Sequence, residues 1–484
     1  MSSDVARLEM ECSRALGASG ADALLQTLLT KAPPGAAGVP PVNRPTPRSL
    51  SMLFNSVSVM LGKAATMGLG FLFWLLAARQ FAPEQVGLAA GAVSAMMLST
   101  QLAILGFGSA VITDLPRHLE RPARLLNTSF TVVAAVALGV AGGFVLLASS
   151  VLTELNVVAS NPVFVLLFLA TTLLGTLGIL FDQVSIALRR GDQVLVRGFL
   201  FGGLTVGLIV LLPLVTDAQS AVAIFAPWVV AGVGICFVGS IQLWRSLHGY
   251  RYRPRADRRM AGRLFRVGLP NYALTLTERA PGLILPIVVT ELLSPTANAT
   301  WYAVWMMAWV VYIIPISVGL ALFAEGAHRP ETLRASVVSG IRSALAIGLV
   351  AAVALGLSAH FALSLLGPGY ADAGETPLRI LLGAFVPLAF VQAYFAACRA
   401  RQRLREAIVT GVVSGLIAVG AAAAAGVVFG LNGMALAWVG VQALTGVWAV
   451  LRLRSLDGRK RAVHPERPEP RQAFQRVPER PAET

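Results

Sequence analysis

The sequence predicts an all-α polytopic membrane protein of about twelve transmembrane helices in two pseudo-symmetric six-helix lobes. Composition, the spacing of apolar runs and an internal repeat predict it. Of 484 residues, 56% are apolar on a count that leaves out 46 glycines, and 13% are charged, against roughly 25% in a soluble domain. Mean hydropathy is +0.71. A span takes about 20 apolar residues, so the roughly 400 residues between two polar ends hold about twelve spans joined by short loops.

The first 48 residues are polar, end in the Pro-rich stretch Pro33 to Pro47 and lack the compact apolar core of a signal peptide, so 1–48 reads as a cytosolic disordered tail. Apolar runs then follow at 50–79, 86–113, 125–152, 162–188, 198–215 and 219–244, which make an N-lobe of 49–246. A basic cytosolic linker, 247–262, precedes the runs at 265–293, 297–323, 336–366, 378–398, 407–429 and 432–451, which make a C-lobe of 263–454. The Arg/Pro/Glu-rich end, 455–484, has too little apolar surface to fold and reads as a second cytosolic tail.

A formal charge of +15 serves topology here, not nucleic-acid binding, because the basic residues alternate with apolar runs. Loops after even-numbered spans hold twenty-one Lys and Arg; the opposite loops hold two, Arg79 and Arg379. The positive-inside rule therefore puts both termini in the cytoplasm, and an even span count agrees. The eight arginines between Arg245 and Arg266 suit two roles, fixing topology and attracting anionic lipid. Three scattered cysteines and five histidines have no zinc-ligand spacing, so no metal, cofactor or structural disulfide is expected. The far-side loops are too short to carry a catalytic domain, so no enzyme is expected.

Three anchors recur at almost one offset: Arg121-Pro122 and Arg329-Pro330 at 208, Ala187-Leu188-Arg189 and Ala397-Cys398-Arg399 at 210, and Pro83 and Pro295 at 212. Two like-oriented six-span halves follow, related by an axis along the membrane normal, with a cavity between them and rocking of the halves as the means of alternating access.

The stretches Leu75 to Val93 (LLAARQFAPEQVGLAAGAV), Leu102 to His118 (LAILGFGSAVITDLPRH), Leu365 to Phe385 (LLGPGYADAGETPLRILLGAF) and Val428 to Gly440 (VFGLNGMALAWVG) together resemble the polysaccharide (O-antigen, Wzx-type) flippases of the multidrug/oligosaccharidyl-lipid/polysaccharide (MOP) exporter superfamily, over about 50–452. The resemblance implies a MATE-like fold in a bacterial inner membrane. It implies a flippase that moves undecaprenyl-diphosphate-linked glycan from the cytoplasmic to the outer leaflet for surface polysaccharide synthesis, with membrane lipids and polysaccharide polymerase or co-polymerase proteins as partners. The peptidoglycan-precursor relatives have fourteen spans, and the drug exporters usually carry an acidic residue in the first span, which this chain lacks. A cation-coupled multidrug exporter stays as the alternative, ahead of a membrane-embedded glycan polymerase or ligase, which needs a large outward loop.

A diphosphate brings about two negative charges into a dry region, and a cation at mid-bilayer costs roughly 2.5 to 3.5 kcal/mol. Few ionisable groups sit well inside spans: Lys63, Asp182, Glu278 and Arg279. Lys63 and Arg279 are read as midplane cations at quasi-equivalent places in the two lobes, clasping one diphosphate. Ser56, Lys63, Thr66 and Gly70 share a helical stripe, as do Asn271, Thr275 and Arg279 with Glu278 at its border. The alternative gives Lys63 a snorkelling or salt-bridging role and has Glu278 and Arg279 neutralise each other or buried neighbours. Pro270, Pro281 and Pro286 predict a kinked or locally broken seventh span. Asp182 and Glu278 are the acidic candidates for ion coupling, with an interfacial salt bridge from Asp182 to Arg189 or Arg190 as the competing role. Trp305, Trp309 and Tyr312 continue an aromatic face from Trp301 that suits either sugar stacking or packing. His360, alone among the histidines in a span, reads as a buried, hydrogen-bonded side chain.

Overall fold

The computed structural model describes residues 47–119, 122–215, 218–247, 250–328 and 333–458, so most of both expected tails lies outside the described residues. The helices from Phe54 onward form one compact unit. In chain order they are α1 (Pro47–Gln80), α2 (Pro83–Ala103), α3 (Phe107–Asp114) with a 3-10 turn (Leu115–Arg117), α4 (Pro122–Ser150), α5 (Asn156–Ser160), α6 (Pro162–Ala187), α7 (Gly191–Val215) and α8 (Ala221–Ser246). The second half runs α9 (Arg258–Leu292), α10 (Pro295–His328), α11 (Leu333–Leu357), α12 (Ala359–Ser364), α13 (Pro368–Leu382), α14 (Phe385–Ala400) and α15 (Leu404–Gly458).

Ten of these helices are long and apolar enough to span a bilayer, and α13 with α14, bent by 44°, makes an eleventh span. The twelfth is hidden in α15. Gly430 takes φ 62°, ψ −155°, a region open essentially to glycine alone, and the chain folds back there without a loop. Arg452 consequently reaches Glu406 at 2.6 Å, although a straight helix would hold them about 69 Å apart at 1.5 Å per residue.

The halves repeat in structure. Pro83 and Pro295 each open a helix, where a missing N–H costs nothing. Arg189 and Gln402 both take left-handed backbone, φ 56° and 59°, and close the same helix ending: Arg190 N–H donates to Ser185 O and Arg403 N–H to Cys398 O, each at 2.8 Å. That turn pairs 189 with 402, so the repeat is offset by 213 here and the Ala-x-Arg match at 210 is three residues out of register. Arg121, Arg329 and Pro330 of the third anchor lie outside the described residues.

The strongest repetition is a close helix approach. A Cβ on Gly198 would stand 2.5 Å from Gly62 O and 3.0 Å from Thr66 Oγ1, and one on Gly202 would meet Leu69 at 2.6 Å. In the second half Gly411 faces Thr277 at 2.4 Å and Gly415 faces Pro281 at 3.1 Å. Small residues four apart let the first helix of each half, α1 or α9, lie against its fifth span, and such contacts replace the hydrophobic drive that lipid cannot supply.

The two halves meet unequally at their two ends. At the end opposite the arginine-rich loops, one apolar core spans both, with Phe73, Trp74, Phe168, Phe225 and Trp228 of the first half beside Trp301, Trp305, Tyr312 and Tyr370 of the second. Polar latches reinforce it. Glu291 of α9 accepts from Thr153 N (2.7 Å), Thr153 Oγ1 (3.1 Å), Glu154 N (3.3 Å) and Leu155 N (2.7 Å). Arg79 donates to Leu365 O and Ser364 O, and Asn298 Nδ2 to Gly87 O at 2.8 Å. At the arginine-rich end the cores are separate, one around Phe107, Leu126 and Phe181, another around Leu274, Tyr394 and Phe395. Only α9 bridges them among the described residues: Leu264 belongs to the first-half core, Tyr272 donates to Gln101 O at 2.5 Å and Arg263 reaches Asp114 at 3.4 Å. First-half packing thus continues past residue 263, and α9 runs as one helix through its three prolines, so of the kinked or locally broken span expected there the break is not seen.

Two expectations follow. Gly198→Ala lowers the melting temperature of the detergent-purified protein by several degrees, in line with about 1–3 kcal/mol for overpacking, whereas Gly203→Ala, which meets nothing within 4 Å, leaves it unchanged. Glu291→Ala strips four donors of their acceptor, and a cysteine placed on the closed end then labels faster with a membrane-impermeant thiol reagent.

Candidate functional site

The ionisable groups inside the spans sort into pairs and exceptions. Asp182, near the end of α6, is held by Arg197 of α7: Nε and Nη2 donate to Oδ1 at 3.0 and 2.8 Å. Arg197 is 3% exposed and also donates to Gln242 Oε1 and Ser185 Oγ. Ser185 continues to Gln193, and Gln193 to Ser246 at 2.8 Å, so the buried guanidinium sits in a network spanning α6, α7 and α8. The expected partners of Asp182, Arg189 and Arg190, are not used. Glu278 pairs across the second half with Arg399 of α14 at 2.8 Å, with side chains 15% and 9% exposed, and not with its neighbour Arg279. Consecutive residues point about 100° apart on a continuous helix.

Lys63 and Arg279 are the exceptions. Both side chains are exposed, and among the described residues neither makes a hydrogen bond or ion pair. Lys63 nonetheless feels the charges of both Arg279 and Asp182, and Tyr272 lies within the field of Arg279. Helices of different halves thus carry two cations that lie within each other's field. They do not lie at one level. At 1.5 Å per residue from the closed-end helix termini, Lys63 lies about 26 Å deep, Asp182 about 30 Å and Arg279 about 20 Å, because α1 extends well before its apolar stretch. Nor are they equivalent: Gln80 and Leu292 end α1 and α9 at an offset of 212, which matches Lys63 to Thr275 and puts Arg279 one turn on. Four cations and two carboxylates leave the cluster with two positive charges to spare, on the side where the halves are open.

Asn271 is exposed and Thr275 half-buried beside these cations, with Thr275 Oγ1 donating to Asn271 O at 3.4 Å. Thr66 donates to Gly62 O at 3.0 Å and lies against Gly198, which makes it part of the helix contact as much as of the open face. No group of three or more His, Cys, Asp or Glu among the described residues could hold a metal ion.

The chain superposes on an inward-facing multidrug-resistance MATE transporter of the MOP superfamily with a TM-score of 0.63, over 83% of this chain and 99% of that one, at 15% identity. The fold is that of the MOP-superfamily transporters. An outward-facing MATE transporter of the MOP superfamily gives 0.56 over 84% and 96% at 14% identity. A MOP transporter from Pyrococcus furiosus, described by a reverse polarity of its binding pocket that suggests a different function, gives 0.56 over 84% and 96% at 15% identity. No family model and no curated relative matches the sequence.

Within this MOP fold the aromatic stripe is interior. Trp305 and Tyr312 are 8% and 1% exposed. Trp305 stacks on Trp301 at 5.9 Å and meets Trp438 edge-on at 5.1 Å, and Tyr312 donates to Leu381 O at 2.6 Å. The sugar-stacking reading gives way to packing for both, because neither ring has a free face, while Trp309 stays partly exposed. His360 is exposed, not buried, and bonds Glu375 at 2.8 Å. Sequence reasoning missed Arg197 and Arg399, counting both with topology loops, although each carboxylate inside a span demanded a partner.

Removing one member of a buried pair strands the other, at about 3–5 kcal/mol. Arg197→Gln should therefore sharply lower folded yield on size-exclusion chromatography, and Asp182→Asn in the same chain should restore much of it.

Proposed function

We propose that this protein is a flippase that carries a polyprenyl-diphosphate-linked oligosaccharide from the cytoplasmic to the outer leaflet of a bacterial inner membrane by alternating access. The observation that carries the reading is the pair of unpartnered cations, Lys63 and Arg279, presented by opposite halves beside carboxylates that arginines already neutralise. A cation inside a span costs roughly 2.5 to 3.5 kcal/mol, and a ligand with about two negative charges offsets that cost for both.

In this reading the arginine-rich end faces the cytoplasm, as do both termini. The diphosphate enters there, Lys63 and Arg279 close on it from two sides, and Asn271 and Thr275 offer hydrogen-bonding groups to the first sugars. The prenyl chain stays in lipid between the halves. Bridging the cations draws the separate cores together, the Glu291 and Arg79 latches release, and the head group leaves at the far end. The N-lobe and C-lobe of 49–246 and 263–454 move against each other with the first turns of α9 staying packed on the first, and polymerase proteins are the expected recipients of the product.

A cation-coupled drug exporter, the other reading for a MOP fold, needs an available carboxylate. Asp182 and Glu278 are both engaged by arginine, which weighs against either as the coupling carboxylate. Pocket polarity is also what the description of the Pyrococcus furiosus protein links to a different function.

The test is translocation of a labelled undecaprenyl-diphosphate oligosaccharide in proteoliposomes. Wild type should move it, and Lys63→Gln/Arg279→Gln should lower the rate on the order of a hundredfold or more, as two lost charge-assisted contacts of about 1.5–3 kcal/mol each imply. Unchanged transport by the double variant, or efflux of a cationic dye with no lipid movement, would overturn the assignment.

A further inference from the structure

The segment joining the halves is not a slack linker. Residues 250–257 read Tyr-Arg-Tyr-Arg-Pro-Arg-Ala-Asp and form neither helix nor strand. They are fastened along the first turns of α4. Tyr250 donates its hydroxyl to Asn127 Oδ1 at 2.7 Å, and Arg253 N–H donates to the same oxygen at 3.2 Å. The Tyr252 hydroxyl meets Thr131 Oγ1 at 3.0 Å, and its ring lies edge-on to Phe130 at 6.2 Å. At the far end Asp257 N–H donates to Thr128 Oγ1 at 3.2 Å. The Asp257 carboxylate caps α9 through Arg259 N and Met260 N and receives Arg124 Nε at 2.7 Å. The Met260 N–H and then Arg124 hold this carboxyl below the usual carboxylate range, so its own contacts are present at neutral pH and weaken only as the pH falls through that lowered value.

Tyr250 and Tyr252 bond to α4, and Arg251, Arg253 and Arg255 alternate with them in the sequence. All three arginine side chains are exposed, and among the described residues none of their guanidinium groups makes a hydrogen bond or ion pair. The one carboxylate in the segment, Asp257, is already engaged. The strap lies between Ser246, where α8 ends, and Arg258, where α9 begins, at the level where spans leave the hydrocarbon.

We propose that this strap is a rail for anionic phospholipid headgroups of the leaflet at the arginine-rich end. Topology alone asks for basic residues in the loop and is indifferent to their order. It explains neither the Tyr-Arg alternation nor the five polar contacts that fix the strap to α4. Charge complementarity favours a phosphate surface, because the exposed side carries three cations in a row, and the half-exposed Tyr252 ring and Pro254 between them suit the headgroup boundary of a bilayer. Ordering the strap in advance removes part of the cost of binding. Each arginine near an anionic surface contributes about a fivefold factor in partitioning, and the effect weakens with salt. Docking would tie α4, and with it the first half, to the membrane surface.

The experiment uses the full chain in phosphatidylcholine nanodiscs containing spin-labelled phosphatidylglycerol, and reads the motionally restricted fraction of the label. Wild type should restrict phosphatidylglycerol in preference to spin-labelled phosphatidylcholine. Arg251→Gln/Arg253→Gln/Arg255→Gln should lose on the order of tenfold or more of that preference, with an unchanged melting temperature. Asn127→Ala keeps every charge but frees the strap, and should lose a smaller part, on the order of two- to fivefold. A triple variant that keeps the preference overturns the proposal, as does an Asn127→Ala protein that matches wild type. Loss in Lys63→Gln/Arg279→Gln with retention in the triple variant would place the lipid in the central site and also overturn it. None of these readouts requires translocation, so the rail and the flippase reading fail separately.

Discussion

Charge in a medium of low dielectric constant must find a partner, and this constraint orders the protein. Arg197 and Arg399 are nearly buried and meet it with carboxylates and amide or hydroxyl groups. Lys63 and Arg279 do not meet it among the described residues. Because each belongs to a different half, an anion shared between them, as in the proposed function, would hold the halves together in a way that neither half alone achieves. The ion pairs around them matter for the same reason: with Asp182 and Glu278 already engaged, the open cations keep their net charge for a ligand.

The duplicated scaffold and the unduplicated chemistry are separable. Gly198 and Gly202 against α1 have counterparts in Gly411 and Gly415 against α9, and the left-handed turns at Arg189 and Gln402 match. Charges do not follow that register. Lys63 corresponds to Thr275, while Asp182 and Arg197 correspond to Phe395 and Thr410 at the offset of those turns. Backbone approach is set by small residues that both halves require, whereas a single ligand needs one site, built from unlike contributions.

The fold was legible because its determinants are local. Twelve apolar runs, Pro83 and Pro295 at helix starts, and the excess of arginine on alternate loops all read along the chain. The site was half legible. Lys63 and Arg279 stood out because a charge inside an apolar run is visible without its surroundings. The roles of Arg197 and Arg399 were not visible, since a residue near a span end reads as a loop residue until the opposing helix shows a carboxylate. Trp305 and Tyr312 failed in the other direction: a stripe on one helix does not reveal whether Trp438 and Leu381 cover it. Gly430 was legible, because the apolar runs 407–429 and 432–451 leave only a few residues for the reversal, and the helix breaks there.

The double allegiance of α9 limits how the molecule can move. Its first turns pack with the first half through Leu264 and Tyr272, and its later turns pack with the second through Thr277, Pro281 and Glu278. The halves therefore cannot part as two rigid blocks at a neutral seam. Separation on that side must flex one helix along its length, and Pro270, between Leu264 and Tyr272, leaves the carbonyl of Arg266 without an intrahelical donor just before the allegiance changes. The helix that carries Arg279 is thus also the spring of the molecule, so the placing of that cation and the bending of the scaffold are one mechanical variable.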